Sequence, residues 1–405
     1  MPTRSQVCTW IAGFGLVVVP SLALAQVRTE REVVELIVRD GPQAHAIRAE
    51  SEVTRLEQLA RLAYPNPSIT YSRESAGFTE FLQAEQSLPI FGARDALSRA
   101  GVAATAAAEA NRDVRLWRLR SEAAAAVARL VADQARLESA QAQVAEVERL
   151  IEILRTRERE GEGSRFDRLR AEQELRDTRQ LVTSAAVSVA EVRAILAGML
   201  PRDIALTRIA SGPDPRQAAS ASPEALITKA GSTRAELRAL KQLAERATSE
   251  GDAARRARLP APNVFGGMKR ADDASGRETG AVFGLSVAVP LFDAGGREAA
   301  RWTAERARVE AERASIEYRI RSEIAGASEV LALRQAALAQ EQQGAAKELV
   351  QIAVVAYGEG EVGILELLDA ARTASRARIR TIDLRLEARL AQIALERAVG
   401  DILWP

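Results

Sequence analysis

The sequence predicts a mostly α-helical chain with a small membrane-type β part. Three observations carry that expectation. Aromatic residues make up only 4% of the 405 residues, while hydrophobic residues, Ala prominent among them, reach 47%, a composition suited to long, closely packed helices. Short runs with period-two alternation sit ahead of long stretches with helical spacing. One order of corner, helical stretch and glycine-marked turn occurs twice, about 200 residues apart, which reads as a duplication.

The elements follow in order. Residues 1–25 read as a secretory signal: Arg4 is the positive end, Trp10 to Val19 the apolar core, and Ala23-Leu24-Ala25 a small-x-small cleavage site ahead of Gln26. The only Cys, Cys8, lies before that cut. Residues 26–200 form a first repeat, 201–222 a linker rich in Pro, Ser, Ala and Gly, and 223–405 a second repeat. Residues 28–63 are expected to be one opening helix, with its counterpart over roughly 223–257. Pro65-Asn66-Pro67 opens a strand-like run from Ser68 to Arg73; Gly77 marks a turn, and Thr79 to Leu88 is a second run closed by Pro89-Ile90-Phe91-Gly92. In the second half Val264 to Arg270 and Val282 to Val289 are the equivalent runs, closed by Pro290-Leu291-Phe292-Asp293. The two Pro-apolar-Phe corners are 201 residues apart (290 − 89).

After each corner the period changes to that of a helix. Val144, Val147, Leu150, Ile151 and Leu154 form one apolar stripe; Ile316, Ile320, Ile324 and Leu331 form another. The first stretch, from Asp95 to Glu160, spans on the order of 100 Å as a helix. Such a helix must pack along its length on neighbours. Both stretches are expected to run unbroken to glycine-marked turns, Gly161-Glu162-Gly163-Ser164 and Gly358 to Gly363. Returning helices follow, Phe166 to Leu200 and Ile364 to about Leu403.

Composition excludes several function classes. With 56 Lys+Arg against 55 Asp+Glu the chain lacks the basic excess of a nucleic-acid binder. One His, one Cys and three Met do not build a His/Cys metal cluster. Any Ser-His-Asp triad would have to use His45, and no nucleophile elbow, phosphate loop or dinucleotide fingerprint is present. The reading is a non-enzyme without cofactor. Beyond the N-terminus no stretch reads as apolar for long enough to cross a bilayer as a helix.

Alternation divides each strand into faces. Phe283, Leu285, Val287 and Val289 share one face of the last run, and Val282, Gly284, Ser286 and Ala288 the other. Ile69 and Tyr71 oppose Ser68, Thr70 and Ser72; Leu82, Ala84, Gln86 and Leu88 oppose Phe81, Gln83, Glu85 and Ser87. An apolar face against a small polar face suits an outer-membrane barrel with a wet lumen; a soluble two-sided sheet has the same alternation. Four strands cannot close a barrel with a channel. An open sheet in lipid leaves unpaired edges costing several kcal/mol per group, so a membrane location requires copies joined edge to edge.

Four motifs, in this order and spacing, make the chain resemble the TolC-like outer-membrane efflux protein family, nearest to its CzcC-like, heavy-metal branch. They are Tyr64-Pro65-Asn66-Pro67-Ser68, Gln86 to Gly92, Val289 to Asp293 with Gly295-Gly296-Arg297, and Val362 to Ala370. The resemblance implies a homotrimer in which four strands per protomer complete a 12-stranded β-barrel in outer-membrane lipid, above a long α-helical barrel in the periplasm. It implies a passive exit duct of a tripartite system, filled by an inner-membrane RND-type pump through a periplasmic adaptor (membrane fusion) protein, with heavy-metal cations as the cargo of that branch.

The resemblance further makes Gly161, Gly163, Ser164, Gly360, Val362, Gly363 and Ile364 adaptor-docking tips; Gly163 stands where the second tip has Val362. It makes Glu366 and Asp369, with Asp167 in the first half, an acidic ring at the periplasmic entrance. Residues i and i+3 share a helix face, and threefold repetition would make a cation-selecting ring. Arg170 stands at the place of the second acid in the first half, and Arg372 is spaced to neutralise Asp369. The competing reading is a soluble periplasmic coiled-coil protein, structural or adaptor-like.

Overall fold

The structure, a computed structural model, describes residues 28–404 except 75–78, 203, 205–208, 210–211, 218–220, 257, 260, 274–275, 290, 293 and 342–344. The signal-peptide reading of 1–25, the Gly77 turn, Pro290 and Asp293 lie outside the described residues.

Helix α1 (Glu30–Asp40) starts on a reciprocal cap: the Thr29 hydroxyl accepts the Glu32 N–H, and the Glu32 carboxylate accepts the Thr29 N–H at 3.0 Å. The single opening helix expected over 28–63 is in fact two. Pro42 has no N–H to donate, so α2 (Pro42–Arg61) begins afresh after Gly41. Gly41 is packed so tightly that a Cβ there would lie 2.6 Å from the Met199 carbonyl oxygen. The second-half counterpart is likewise divided, into α5 (Pro223–Thr233) and α6 (Ala235–Arg256), at Arg234. Here a helix end dictates the break. The Arg234 guanidinium donates to the Ala398 carbonyl at 2.8 Å and the Arg397 carbonyl at 3.2 Å, and the Thr233 hydroxyl donates to the Val399 carbonyl at 2.7 Å. A cation and a hydroxyl thus satisfy carbonyls that the last helix leaves unpaired.

Helix α3 (Ala93–Glu160) is 68 residues, about 100 Å at 1.5 Å per residue. It lies between two left-handed glycines, Gly92 (φ 74°) and Gly161 (φ 79°), and its second-half equivalent lies between Gly295 (φ 70°) and Gly360 (φ 80°). Those pairs are 69 residues apart (161 − 92) and 65 apart (360 − 295). The expected unbroken second helix is instead α7 (Gly296–Gln340) and α8 (Ala345–Glu359), with Glu341 already extended (ψ 114°). A four-residue shortfall rotates helical phase by about 40°, so a second copy of α3 would not keep its apolar stripe on the same neighbours. The returning helices are α4 (Arg165–Met199) and α9 (Ile364–Val399). Helix α9 stops short of the expected Leu403 because Gly400 (φ 80°) turns the chain back.

Helix α3 packs on α1, α2, α4, α6 and α9, while α7 packs on α5, α6 and α9. Its stripe is buried as the spacing implies, at Val147, Ile151 and Leu154; so is that of α7, at Ile320, Ile324 and Leu331. Near the middle of the molecule the two halves are clamped together. Arg389 of α9 donates to Glu30 of α1 at 2.7 Å, both side chains being about nine-tenths buried or more. Arg389 also donates to the fully buried Gln392, whose amide holds the connector carbonyls of Asp214 and Gln217. The Trp404 indole donates to the same Gln217 carbonyl at 3.1 Å. Glu396 accepts the Leu403 and Trp404 N–H groups, each at 3.1 Å, and burial raises its carboxyl above the usual carboxylate range.

One sequence expectation is overturned in the returning helix. Helix α4 is long and apolar enough, by length and composition, to cross a membrane, and only 11% of that apolar window is buried. Its Ala- and Val-rich second half leaves Leu181, Val187 and Ile195 exposed on a single chain.

The four strands are β1 (Ser68–Glu74), β2 (Thr79–Ser87), β3 (Pro262–Asp273) and β4 (Gly276–Val287). They form one sheet in the order β1-β2-β3-β4, antiparallel throughout. The β2–β3 pairing, from Thr79↔Ala271 to Ser87↔Asn263, joins the halves of the chain.

Candidate functional site

The register sorts the sheet into rows. One face carries Tyr71–Leu82–Met268–Ala281, then Ile69–Ala84–Gly266–Phe283, then Gln86–Val264–Leu285, then Val287. These apolar side chains are bare on a single chain: Phe283 is 81% exposed and Ile69 75%. From Ala281 to Val287 the band is about 20 Å tall at the rise of an antiparallel strand. Its far end is closed by a charged row, in which Glu80 lies 3.9 Å from Arg73 and 4.0 Å from Arg270. Beyond that row Arg277 pairs with Asp272 at 2.8 Å. An apolar band of this height that stops at a charged rim matches a hydrocarbon layer and its headgroup boundary.

The opposite face is small and mostly polar. Its rows are Ser72–Phe81–Lys269–Gly280, Thr70–Gln83–Gly267–Val282, Ser68–Glu85–Phe265–Gly284 and Ser87–Asn263–Ser286. Among the described residues β1 and β4 each pair on one side alone. Their free edges are the feature that a single chain in lipid does not satisfy.

At the other end of the molecule lie the two turns. At the first, the Gly161 φ of 79° lets Glu162 and Gly163 donate to the Arg157 carbonyl, at 2.9 and 3.0 Å. A Cβ on Gly163 would lie 2.9 Å from the Glu158 backbone nitrogen, so this position is closed to side chains. Ser164 caps α4 by accepting the Phe166 N–H at 3.1 Å. At the second turn Gly360 and Glu361 donate to Tyr357 and Ala356, and Gly363 precedes α9 in open surroundings, where a Cβ would meet only the end of the Glu366 side chain. Ile364 is buried and Val362 half-buried.

The turns are tied to each other. The Arg157 guanidinium donates to the Gly358 carbonyl at 3.1 Å and lies over the Tyr357 ring at 5.5 Å. The Tyr357 hydroxyl donates to Asp167 at 3.2 Å; burial first, then the Asp167 charge, hold its proton on above the usual phenol range. Beneath them Val147, Ile151, Leu154, Ala171, Ile364, Leu367 and Leu368 form a shared apolar core.

The candidate acids are therefore placed unequally. Glu366 and Asp369 lie on one exposed face of α9, opposite buried Leu367 and Leu368. Arg372 forms a two-pronged pair with Glu174 of α4, at 3.0 and 3.1 Å through its Nε, while the Asp369 charge acts on it only through space. Asp167 is half-buried and engaged by Tyr357, and Arg170 is exposed. Sequence reading missed Arg157, Tyr357 and Glu174. Their partners lie about 200 residues away, and no local spacing signals them.

This architecture is shared with outer-membrane channels. The chain has the fold of CusC, whose crystal structures concern folding and transmembrane channel formation, at 16% identity, 99% coverage of both chains and a TM-score of 0.75. It superposes on VceC of Vibrio cholerae at 18% identity, 92% and 96% coverage and a TM-score of 0.70. For the open state of MtrE from Neisseria gonorrhoeae the values are 18%, 93% and 89%, and 0.69. Residues 226–401 match the model of the outer membrane efflux protein family. No curated protein matches the chain in sequence. The whole chain thus has the fold of these channel structures, and residues 226–401 carry the sequence match to the efflux protein family.

Proposed function

We propose that the protein is the outer-membrane exit duct of a tripartite efflux system, with residues 26–200 and 223–405 as its two repeats. The observation that carries this reading is the four-stranded sheet: an apolar band on one face, mostly polar residues and glycines on the other, and two free edges. Three chains joined β4 to β1 satisfy every edge and enclose a lumen of twelve strands. The bare apolar flank of α4, too little buried for a finished soluble protein, becomes interprotomer surface in the same assembly.

The glycine turns are the periplasmic ends, where a periplasmic adaptor docks and passes on what an inner-membrane RND-type pump delivers. Exposed Phe166, Leu169 and Leu365 beside Gly161, Gly163, Ser164, Gly360, Val362, Gly363 and Ile364 supply an apolar docking surface. Glu366 and Asp369, repeated three times, line the entrance as a cation-preferring ring. Heavy-metal cations are the cargo, on the strength of the CzcC-like motifs. The test is reconstitution: heat-modifiable trimers in outer-membrane fractions that conduct ions in planar bilayers are expected. Complete release by osmotic shock without detergent, or a stable monomer without conductance, would overturn the reading in favour of a soluble periplasmic protein.

A further inference from the structure

Phe265 and Gly284 face each other across β3 and β4, on the small polar side of the sheet. The Phe265 ring reaches across the neighbouring strand and ends on Gly284. A Cβ built on Gly284 would come within 2.6 and 2.8 Å of the ring's Cε1 and Cε2, and closer still to Cζ. The ring occupies the space that any other residue at 284 would fill. It therefore lies flat on the wall, and the glycine backbone is covered by an aromatic face, as glycines in strands often are. The lipid side of the same strands offers a comparison. Gly266 faces Phe283, and there a Cβ would meet the ring at an ordinary 3.5 Å. Any side chain at 284 thus requires the Phe265 ring to move, whereas one at 266 requires no such shift.

Other wall residues leave the displaced ring little choice. Toward the strand base the next row holds Asn263 and Ser286, whose hydroxyl donates to Glu85 at 3.3 Å. On the other side are Val282 and Gly267, where a Cβ would lie 2.8 Å from the Gln83 Cα, so the backbones are close-packed. A ring pushed off Gly284 must stand away from the wall.

Building on the channel reading, we propose that the Phe265–Gly284 pair sets the bore of the β-barrel: three rings lie flat against the wall only because residue 284 has no side chain. In a threefold duct, lifting these rings places three aromatic groups at one level of the lumen and narrows it.

The test is single-channel conductance of purified trimers in planar bilayers. Gly284→Val and the smaller Gly284→Ala are expected to lower conductance, whereas Gly266→Ala on the lipid side leaves it unchanged. Adding Phe265→Ala to Gly284→Val is expected to restore it, because the loss comes from the ring and not from the new methyl groups. Valine is otherwise the better strand residue, so a loss through Val runs against strand preference. If neither glycine variant assembles, Phe265→Ala is expected to rescue heat-modifiable trimers. Unchanged conductance in both glycine variants, a loss that Phe265→Ala does not reverse, or failed rescue of assembly would overturn the inference. Absence of conductance in the wild-type trimer would remove the channel reading itself, and the bore assignment with it.

Discussion

The two tips of this molecule share an outline and differ in chemistry. Both follow a left-handed glycine, Gly161 or Gly360, and both lead into a returning helix. The first is closed: Gly163 has no room for a Cβ, Asp167 is engaged by Tyr357, and Arg168 is held between Glu158 and Glu172 at 2.6 and 2.9 Å. The second is open: Gly363 has space, and Glu366 and Asp369 face solvent. The two tips thus share the backbone devices that make each turn and differ in how their charged side chains are engaged. The first tip holds its acid in a tie to Tyr357, and the second leaves its two acids exposed.

Four sets of substitutions sharpen the comparison, beginning with the joint between the halves. Arg389→Ala leaves Glu30 buried and unpaired and is expected to lower stability by about 3–5 kcal/mol, read as the unfolding midpoint of detergent-solubilised protein. Replacing both members together by Met and Leu should recover most of that loss. If Arg389→Ala unfolds like wild type, the halves are not held by this clamp. Next, Gly163→Val, which copies the second tip into the first, is expected to cost about 1–3 kcal/mol through overpacking, whereas Gly363→Ala costs less than about 1 kcal/mol. Hydrogen exchange at residues 157–168 reads the difference; equal protection in both variants would dissolve the contrast between tips.

The acids separate next. Neutralising Glu366 and Asp369 together (to Gln and Asn) should shift the bilayer reversal potential toward lower cation preference without loosening the tips. Asp167→Asn should do the reverse, weakening the tie to Tyr357 by about 1 kcal/mol and leaving selectivity intact. The smallest effect concerns Glu396. Its carboxyl is raised by burial, so the neutral form is favoured in the fold. That contribution is present below the ordinary carboxyl pKa and lost as pH rises through the raised value. Glu396→Gln should therefore flatten the pH dependence of the unfolding midpoint between weakly acidic and neutral pH, while keeping an acceptor for the Leu403 and Trp404 N–H groups. An unchanged pH profile would mean the buried carboxyl is not what titrates.

Much of this was legible in the residues. The alternation that places Ile69, Tyr71 and Leu82 on one face and Ser68, Thr70 and Gln83 on the other is the one the register shows. Period two leaves no freedom once pairing begins. The stripes Val147-Ile151-Leu154 and Ile320-Ile324-Leu331 are buried because a helix has one periodicity to offer its neighbours. The two corners and the two turns were marked by glycines whose positive φ other residues avoid.

The helix breaks at Gly41, Arg234 and Glu341 were harder to see. Pro42 marks the first, but Arg234 breaks its helix in order to reach carbonyls of α9, more than 160 residues later. The same holds for Arg372: its spacing from Asp369 suggested a local pair, and the fold offered Glu174 on a neighbouring helix instead. By itself the sequence determined which stretches are strand and which are helix and which face of each is apolar, because those follow from local sterics and periodicity. Only the tertiary structure decided which charges are spent on partners and which remain exposed. That choice depends on side chains meeting across helices whose approach no local spacing records.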